Sequence, residues 1–199
     1  MFSGGMDSTA LVYKLLTESK YSRFNIHIHH IILDNIEGRA DAERNAVSNI
    51  LEYFKNDYKF RKFEYSESAF SFPAVSGSFL YDTDIIGFIS GYFLSYFPQV
   101  ERVATGVTKS DFSDDSLGDR KKRGDNILNA FKQGASSRKY YPLITMTKQS
   151  IYNMLPADLL QLVWYCRTPV PFDDTFKCCN KCKTCKEVSQ LNLHKEKGA

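Results

Sequence analysis

Long hydrophobic runs are missing from this chain of 199 residues. Its longest apolar stretch, Ile85 to Phe97, is interrupted by Gly87, Ser90, Gly91 and Ser95. A membrane-spanning helix needs about 20 consecutive apolar residues, so this stretch does not qualify. The first residues also lack the basic leader and apolar core of a secretory signal. We therefore expect a cytoplasmic protein with no membrane partner.

An excess of one charge sign is missing as well, since 26 basic and 23 acidic residues leave a net charge of +3. This balance gives no electrostatic reason to expect nucleic acid as a partner.

Cysteine is absent from the first 165 residues, and four of the five cysteines lie between positions 178 and 185. A disulfide framework would spread its cysteines along the chain, whereas a tight cluster in a cytosolic protein is typical of a metal site.

Helix-like and strand-like patterns alternate along the rest of the chain. The predicted helices cover residues 8–20, 39–54, 82–96, 126–132, 148–155 and 157–163, and the predicted strands cover 24–33, 59–65 and 101–107. Residues 71–78 are predicted as a loop, and residues 111–124 as a polar active-site loop. The alternation predicts a Rossmann-like α/β fold, a parallel sheet with helices on both faces and ligands beyond the carboxyl ends of its strands. We place this domain at residues 1–160 and a small cysteine-rich segment at 161–199.

A glycine-rich stretch, Ser3-Gly4-Gly5-Met6-Asp7-Ser8-Thr9, stands directly before the first predicted helix. Paired glycines let the backbone approach an anion, and the helix directs N–H groups and its positive dipole end at the same point. Ser3, Ser8 and Thr9 add hydroxyl donors, and Asp7 fits the role of ligand to a phosphate-bound Mg²⁺. The alternative is a plain Gly-Gly turn with Ser8 or Asp7 capping the helix. Since only Met1 and Phe2 precede the loop, the strand leading into it is expected to be very short or to begin before the given sequence.

The letters SGGMDST resemble the SGGxDS signature of the N-type ATP pyrophosphatases, the PP-loop family. In that family the loop holds the pyrophosphate of ATP while a substrate oxygen attacks the α-phosphorus. The resemblance implies nucleotide binding by Phe2, Ser3, Gly4, Gly5, Met6, Asp7, Ser8 and Thr9. The loop contains no lysine, which separates it from the Walker A motif.

Three cysteines near the carboxyl end, Cys179, Cys182 and Cys185, are spaced by two residues each. Cys166 is predicted to join them as a fourth ligand, brought back by a proline-containing loop. Four thiolates about 2.3 Å from one ion satisfy tetrahedral Zn²⁺ and leave no open position, so the site would be structural. Cys178 is then the spare thiol. An iron–sulfur cluster is the alternative, and five unliganded thiols packed so closely would readily oxidise.

Together, the loop and the Cys-x(n)-Cys-x-x-Cys-x-x-Cys pattern resemble the 7-cyano-7-deazaguanine synthases of queuosine biosynthesis, whose fold is adenine nucleotide alpha hydrolase-like. The segment ATGVTKSDFSDDSLGDR (104–120) resembles that family's TGVxxxDFS segment with its following Asp and Arg, and YYPLITMTKQSI (140–151) is similar to its PL…K…I stretch. The resemblance implies an ATP-dependent ligase that adenylates 7-carboxy-7-deazaguanine. Ammonia then converts the base, through the amide, to 7-cyano-7-deazaguanine, with release of AMP and pyrophosphate.

The same resemblance implies the roles of individual residues and partners. The implied catalytic residues are Asp7, Ser8, Lys148, Asp119 and Arg120; Asp111 is a further candidate contact, and Thr105 and Gly106 are expected on the α-phosphate or substrate side. For Lys148 the alternative is a solvent-exposed residue in the first turn of a helix. The implied cofactors are ATP, Mg²⁺ and Zn²⁺, with a deazapurine carboxylate and ammonia as small-molecule substrates. Direct nucleic-acid binding is not expected, and a homodimer is allowed.

Three segments depart from the family pattern, at residues 34–39, 80–84 and 114–120. They correspond to regions near the base and its carboxylate, so they bear on the identity of the substrate. The competing interpretations are another PP-loop enzyme, such as a tRNA thiolase or a ligase acting on a macromolecule, and a nucleotide-binding module that has lost catalysis.

Two further clusters are interpreted conservatively. On a strand, His27 and His29 face one side and His30 the other, so we favour polar strand positions over a histidine metal site. The basic run from Arg120 to Arg123 is interpreted as a solvated loop or a phosphate contact rather than a nucleic-acid patch.

Overall fold

The computed structural model describes residues 1–35, 37–71, 82–112, 116–131, 135–173 and 175–196, without the side chains of 112–121 and 192–196. The chain is a mixed α/β protein with small parallel sheets and a four-cysteine cluster near its carboxyl end. Among the described residues, no helix combines the length and the apolar character needed to cross a bilayer.

The chain divides into two compact units. One consists of Met1 and Ser76–Thr147, which we call the middle unit, and the other of Phe2–Val75 and Lys148–Ala199, which we call the terminal unit. The predicted boundary between residues 160 and 161 stays a prediction.

The terminal unit is built around two parallel strands. Its elements are α1 (Met6–Thr17), β1 (Ile26–Asp34), α2 (Ala40–Asn56) and β2 (Phe63–Ser71), followed after the middle unit by α5 (Lys148–Met154), α6 (Ala157–Leu162), β5 (Val170–Phe172), β6 (Thr175–Lys177) and α7 (Lys183–Glu196). β1 pairs with β2 from Ile26 opposite Phe63 to Asp34 opposite Ser71. Phe2 forms a single parallel bridge with His30. The strand that leads into the glycine-rich loop therefore pairs through one residue only. β5 and β6 form an antiparallel hairpin.

Apolar spacing explains the helices of this unit. α2 buries one stripe of residues at helical intervals, namely Ala42, Ala46, Val47, Ile50, Leu51 and Phe54. The stripe lies against β1, and Ile151 of α5 and Leu159 of α6 are fully buried in the same unit. Arg61 closes the connection into β2, because its guanidinium donates hydrogen bonds to the carbonyls of Tyr21 (2.7 Å) and Phe24 (2.5 Å). β2 therefore begins at Phe63, four residues later than predicted.

The middle unit contains two packed helices and a short parallel pair. Its elements are α3 (Asp82–Tyr96), β3 (Val103–Ala104), α4 (Ser116–Phe131) and β4 (Lys139–Tyr140), with β3 and β4 paired in parallel. Leu94, Val103, Leu128 and Ala135 form its core. The bounds of α3 agree with the prediction, whereas residues 72–78 of the predicted loop at 71–78 lie outside the described residues.

The predicted active-site loop at 111–124 is wrong from Ser116 onward, because α4 begins there. Two glycines and many charges made this segment look irregular, but packing against α3 overrides that local preference. The carbonyl oxygen of Gly124 would lie 3.1 Å from a Cβ placed on Gly87, so the two helices approach closely at paired glycines. Arg123 on α4 also pairs with the buried carboxylate of Asp84 on α3.

Candidate functional site

The glycine-rich loop joins Phe2 to α1, and Gly4 is required there by its backbone conformation and by the space around it. Gly4 has φ +71°, and a Cβ there would lie 3.1 Å from Cγ2 of Val47. A Cβ on Gly5 would lie 3.4 Å from the carbonyl oxygen of Trp164. Gly5 is also the N-cap of α1 and supplies no side-chain cap, so the first N–H groups of the helix are not covered by a capping side chain.

Two serine hydroxyls hold the loop closed. Oγ of Ser8 accepts a hydrogen bond from the backbone N–H of Ser3 at 3.2 Å and lies 3.1 Å from Oγ of Ser3. It also donates to the carbonyl of Gly5 at 3.0 Å. Ser3 is exposed, whereas Phe2, Met6 and Thr9 are buried, with Thr9 fully so. Side-chain contact with a ligand is therefore available to Ser3, and Thr9 lacks the exposure that its predicted phosphate contact needs.

Asp7 and Lys148 meet at the start of α1. Nζ of Lys148, the first residue of α5, forms an ion pair with the carboxylate of Asp7. Both side chains keep about a quarter of their surface exposed, 29% for Lys148 and 26% for Asp7. The structure thus places the predicted lysine beside the glycine-rich loop, next to the predicted magnesium ligand.

Trp164 connects this loop to the cysteine cluster. Its backbone N–H donates to the carbonyl of Gly4 at 2.9 Å, and its indole N–H donates to the carbonyl of Cys166 at 2.9 Å. The two motifs that lie at opposite ends of the sequence are therefore neighbours in the terminal unit. Sequence reasoning missed this residue, although it is the only tryptophan in the chain.

Four cysteines converge on one point. The Sγ atoms of Cys166, Cys179, Cys182 and Cys185 all lie within 4.8 Å of one another, and none of these cysteines forms a disulfide. Thiolates about 2.3 Å from one ion in a tetrahedron have sulfur–sulfur edges of about 3.8 Å, and Sγ of Cys179 lies 3.9 Å from Sγ of Cys185. The residues therefore fit a single tetrahedral ion. A cluster of two or four irons would hold the set of four sulfurs further apart, because the sulfurs are then shared among more than one iron.

Hydrogen bonds around these sulfurs favour thiolates. Oγ1 of Thr168 donates to Sγ of Cys179 at 3.2 Å, and the backbone N–H of Cys182 donates to it at 3.3 Å. These bonds lower the pKa of Cys179 to about 5. Burial raises the pKa of Cys166 and of Cys185, so a cation at the centre would supply the charge that lets these two ionise. Such donors around ligating groups are the usual second layer of a metal site.

A chain of ion pairs that the sequence analysis did not identify lies after β1. Arg39, whose side chain is 9% exposed, pairs with Glu37 at 2.6 Å and with Glu43 at 2.7 Å. Glu37 also accepts three hydrogen bonds from Arg167, at 3.1 Å, 3.2 Å and 3.3 Å. Because Arg167 follows Cys166, the loop after β1 is tied to the cysteine cluster. A distance of 130 positions between Glu37 and Arg167 leaves no local sequence signal for this pair.

The second predicted nucleotide segment belongs to the middle unit. The backbone N–H of Thr105 donates to the carbonyl of Tyr140 at 3.1 Å, and Gly106 is half-buried. Asp111 accepts hydrogen bonds from the backbone N–H (2.7 Å) and the hydroxyl (2.9 Å) of Thr108, so its carboxylate stabilises its own turn. The side chains of Asp119 and Arg120 lie outside the described residues, although both positions are in α4.

Chemically, the terminal unit offers backbone N–H groups, a serine hydroxyl, a carboxylate and an ammonium group around one loop, which Trp164 connects to the four-cysteine cluster. This set fits an anion accompanied by a divalent cation. In comparisons with known proteins, the chain matches no protein-family model, no curated protein and no solved structure.

Proposed function

We propose that the chain is an ATP-dependent C–N ligase of the PP-loop type, similar to the 7-cyano-7-deazaguanine synthases. One observation carries this proposal: Asp7 of the glycine-rich loop and Lys148 of the similar PL…K…I stretch form an ion pair. A plain Gly-Gly turn would need neither a partly exposed acid at this point nor a lysine reaching it from 141 positions away.

The loop's role in this proposal is to receive the leaving pyrophosphate of ATP. Gly4 and Gly5 permit close approach of the backbone, and the start of α1 supplies N–H groups and a positive dipole end. Ser3 adds an exposed hydroxyl, while Ser8 fixes the loop through its bonds to Ser3 and Gly5. Donors arranged in advance stabilise developing charge without reorganisation, which is often the largest single contribution to catalysis.

Asp7 is the residue that would hold Mg²⁺, since hard divalent cations prefer carboxylate oxygens. The ion, when bound, supplies positive charge to the β- and γ-phosphates. Lys148 provides a second positive charge at the same place, which Asp7 balances in this structure. We propose that Lys148 turns from the carboxylate of Asp7 to a phosphate oxygen when the nucleotide binds.

The acceptor in this proposal is a carboxylate of a deazapurine base. A carboxylate is a poor electrophile, so its oxygen attacks the α-phosphorus of ATP, the bond to the β-phosphate oxygen breaks, and pyrophosphate leaves. Ammonia then displaces AMP to give the amide. A second ATP activates the amide oxygen, and loss of AMP with the two amide protons gives the nitrile.

The four cysteines hold a structural ion in this proposal, Zn²⁺ by their chemistry. The sulfurs of Cys166, Cys179, Cys182 and Cys185 would supply all four ligands of such an ion, so no position would be left open for substrate. The cluster acts through Trp164, which joins Gly4 to Cys166.

The test is release of pyrophosphate from ATP and Mg²⁺ by the full chain, with 7-carboxy-7-deazaguanine and ammonium added, followed by mass analysis of the base. We expect pyrophosphate together with an amide or a nitrile. Pyrophosphate without conversion of the base would contradict the proposed acceptor and favour another PP-loop enzyme. Nucleotide binding without any pyrophosphate would favour a module that has lost catalysis.

A further inference from the structure

Two imidazoles surround one serine hydroxyl near the amino-terminal end of the β1–β2 pair. The parallel register sets His27 opposite Glu64 and His29 opposite Ser66, and alternation along the strands puts all four side chains on the same face. Oγ of Ser66 lies 2.7 Å from Nε2 of His27 and 2.7 Å from Nδ1 of His29. Nδ1 of His27 lies 3.3 Å from Oε2 of Glu64. Two ring nitrogens therefore converge on one oxygen, and a carboxylate stands behind one of them.

The proton positions follow from what each group can donate. An ionised carboxylate only accepts, so the Glu64 contact needs a proton on Nδ1 of His27, which leaves Nε2 as an acceptor in the neutral ring. The Ser66 hydroxyl must then give its only proton to that nitrogen. Nδ1 of His29 has to be the donor to Oγ of Ser66. Burial lowers the pKa of His29 to about 4, so this ring is neutral at neutral pH and carries the single proton that the contact needs.

We propose that Ser66 is an activated nucleophile, with His27 as its general base and Glu64 as the residue that orients His27, at a second site that accepts acyl or phosphonyl groups. A nucleophile within hydrogen-bond reach of a base, which is itself oriented by a third group, is the arrangement that activates serine. The His29 N–H adds a donor to the same oxygen, where it stabilises negative charge as the proton leaves.

This site is open on the side of His27 and Glu64, with Ser66 half-buried and His29 buried behind them, and it is separate from the glycine-rich loop. The side chain of His27 is 41% exposed, and that of Glu64 is 83% exposed. Phe2 pairs with His30 in parallel, so the loop that follows Phe2 runs toward the carboxyl end of β1, away from His27. The exposed position favours small activated esters over a large substrate that needs an enclosing cleft. The proposal does not rest on ATP chemistry.

The reaction is a group transfer to oxygen. Oγ of Ser66 attacks the carbonyl carbon of an ester, its proton moves to Nε2 of His27, and the ester's alcohol leaves with that proton. Water then attacks the acyl-serine with His27 as base, which regenerates the hydroxyl and releases the acid. With a fluorophosphonate, the Oγ–P bond forms, the P–F bond breaks, and the product is HF and a stable phosphonyl-serine.

The experiment is labelling of the full chain with a fluorophosphonate probe, followed by peptide mass spectrometry and a measured rate constant for each modified serine. We expect labelling at Ser66 and none at Ser68, which lies two residues further on the same face of β2 but opposite Ile31. His27→Gln should slow labelling by roughly 100-fold or more, the usual contribution of a general base. Glu64→Ala should slow it as well, and Glu64→Gln should restore part of the rate because the amide oxygen still accepts the Nδ1–H bond.

The wild-type result alone can overturn the proposal, so it does not depend on whether a variant folds. Equal labelling of Ser66 and Ser68, labelling only after denaturation, or no labelling would each contradict an activated serine. An unchanged rate in His27→Gln, with the melting temperature preserved, would remove the general base and reduce the cluster to a structural network.

Discussion

Asp7 and Lys148 give the glycine-rich loop a carboxylate whose charge is balanced by a residue of another helix. In the proposed function, Mg²⁺ would take the place of the Lys148 ammonium as the ionic partner of Asp7, and Lys148 would pair with a phosphate oxygen instead. Because both side chains are about a quarter exposed, the pair is screened by water and contributes little to stability. The ion pair matters mainly because it holds the ammonium group of Lys148 beside the glycine-rich loop.

Replacement of Asp7 by Asn is expected to abolish turnover while preserving the fold. An amide keeps the shape of the carboxylate but supplies no negative charge for Mg²⁺, so pyrophosphate release should fall by at least roughly 100-fold. The melting temperature should change little, since an exposed ion pair is worth about 1 kcal/mol or less. The matched control is Asp57→Asn, which breaks another Asp–Lys pair, with Lys59 at 2.6 Å. Activity that survives in Asp7→Asn would contradict the magnesium role.

Burial of His29 predicts a specific loss of stability in acid. The ring is 5% exposed, and burial lowers its pKa to about 4, below the ordinary value of 6.5. The unfolded chain therefore binds a proton at higher pH than the folded chain, so this contribution is complete above pH 6.5 and is lost as the pH falls toward 4. The full loss is at most about 3 kcal/mol.

The measurement is the free energy of unfolding by urea at several pH values for the wild type and for His29→Gln. Between pH 6.5 and 4 the wild type should lose more stability than the variant, whereas above pH 7 the difference between them should be constant. Parallel curves over the whole range would show that His29 does not titrate differently in the two states.

At the scale of elements, the cysteine cluster supports the glycine-rich loop. Trp164 contacts Gly4 through its backbone and Cys166 through its indole, and Arg167 binds Glu37 in the loop after β1. Two loops of the terminal unit are thus held by the segment on either side of Cys166. A metal at the cluster would fix this segment and, through it, the loops.

Replacement of Cys182 by Ser is expected to lower both metal content and stability. A serine hydroxyl is a poor ligand for a soft metal site, and structural zinc contributes directly to folding. Metal analysis and a thermal melt would measure the two effects. The matched control is Cys178→Ser, because Cys178 is a neighbouring cysteine that is not part of the cluster. Equal effects of the two substitutions would contradict the assignment of the four ligands.

At the scale of the whole molecule, a metal at the cysteine cluster is expected to stabilise the terminal unit directly, because that unit supplies its four ligands. All four cysteines belong to the terminal unit, and the core of the middle unit is formed by Leu94, Val103, Leu128 and Ala135. Metal binding acts on the folded state of the residues that provide its ligands. Its effect should therefore be regional.

Hydrogen exchange before and after removal of the metal with a chelator tests this expectation. Exchange should rise in α1, α5 and the segment from Trp164 to Cys185, and should stay nearly constant in α3 and α4. A uniform rise across both units would contradict a regional effect and indicate one cooperative structure.

Elements with regular apolar spacing could be predicted from the sequence. Elements and contacts that depend on residues far away along the chain were missed. α3 and α5 were predicted within one residue of their ends because their periodicity or their following turn is clear. The four cysteines were predicted from spacing alone, and the structure confirms that they come together. The part of α4 up to Gly124 was assigned to a loop because its fit to α3 depends on Gly87, which lies far away in the chain, whereas the rest of α4 overlaps the helix predicted at 126–132. Trp164 and Arg167 were missed for the same reason, since their partners are more than 100 positions distant.

The terminal unit is assembled from the two ends of the chain, residues 2–75 and 148–199. During synthesis on the ribosome, the glycine-rich loop emerges before residues 76–147, whereas Lys148, Trp164 and the cysteines emerge after them. Residues 76–147 form a compact unit of their own and can fold while the rest is being translated. The glycine-rich loop can therefore gain its partner lysine and its support only after residues 76–147 have been translated, so an early nascent chain holds the loop without the residues that complete it.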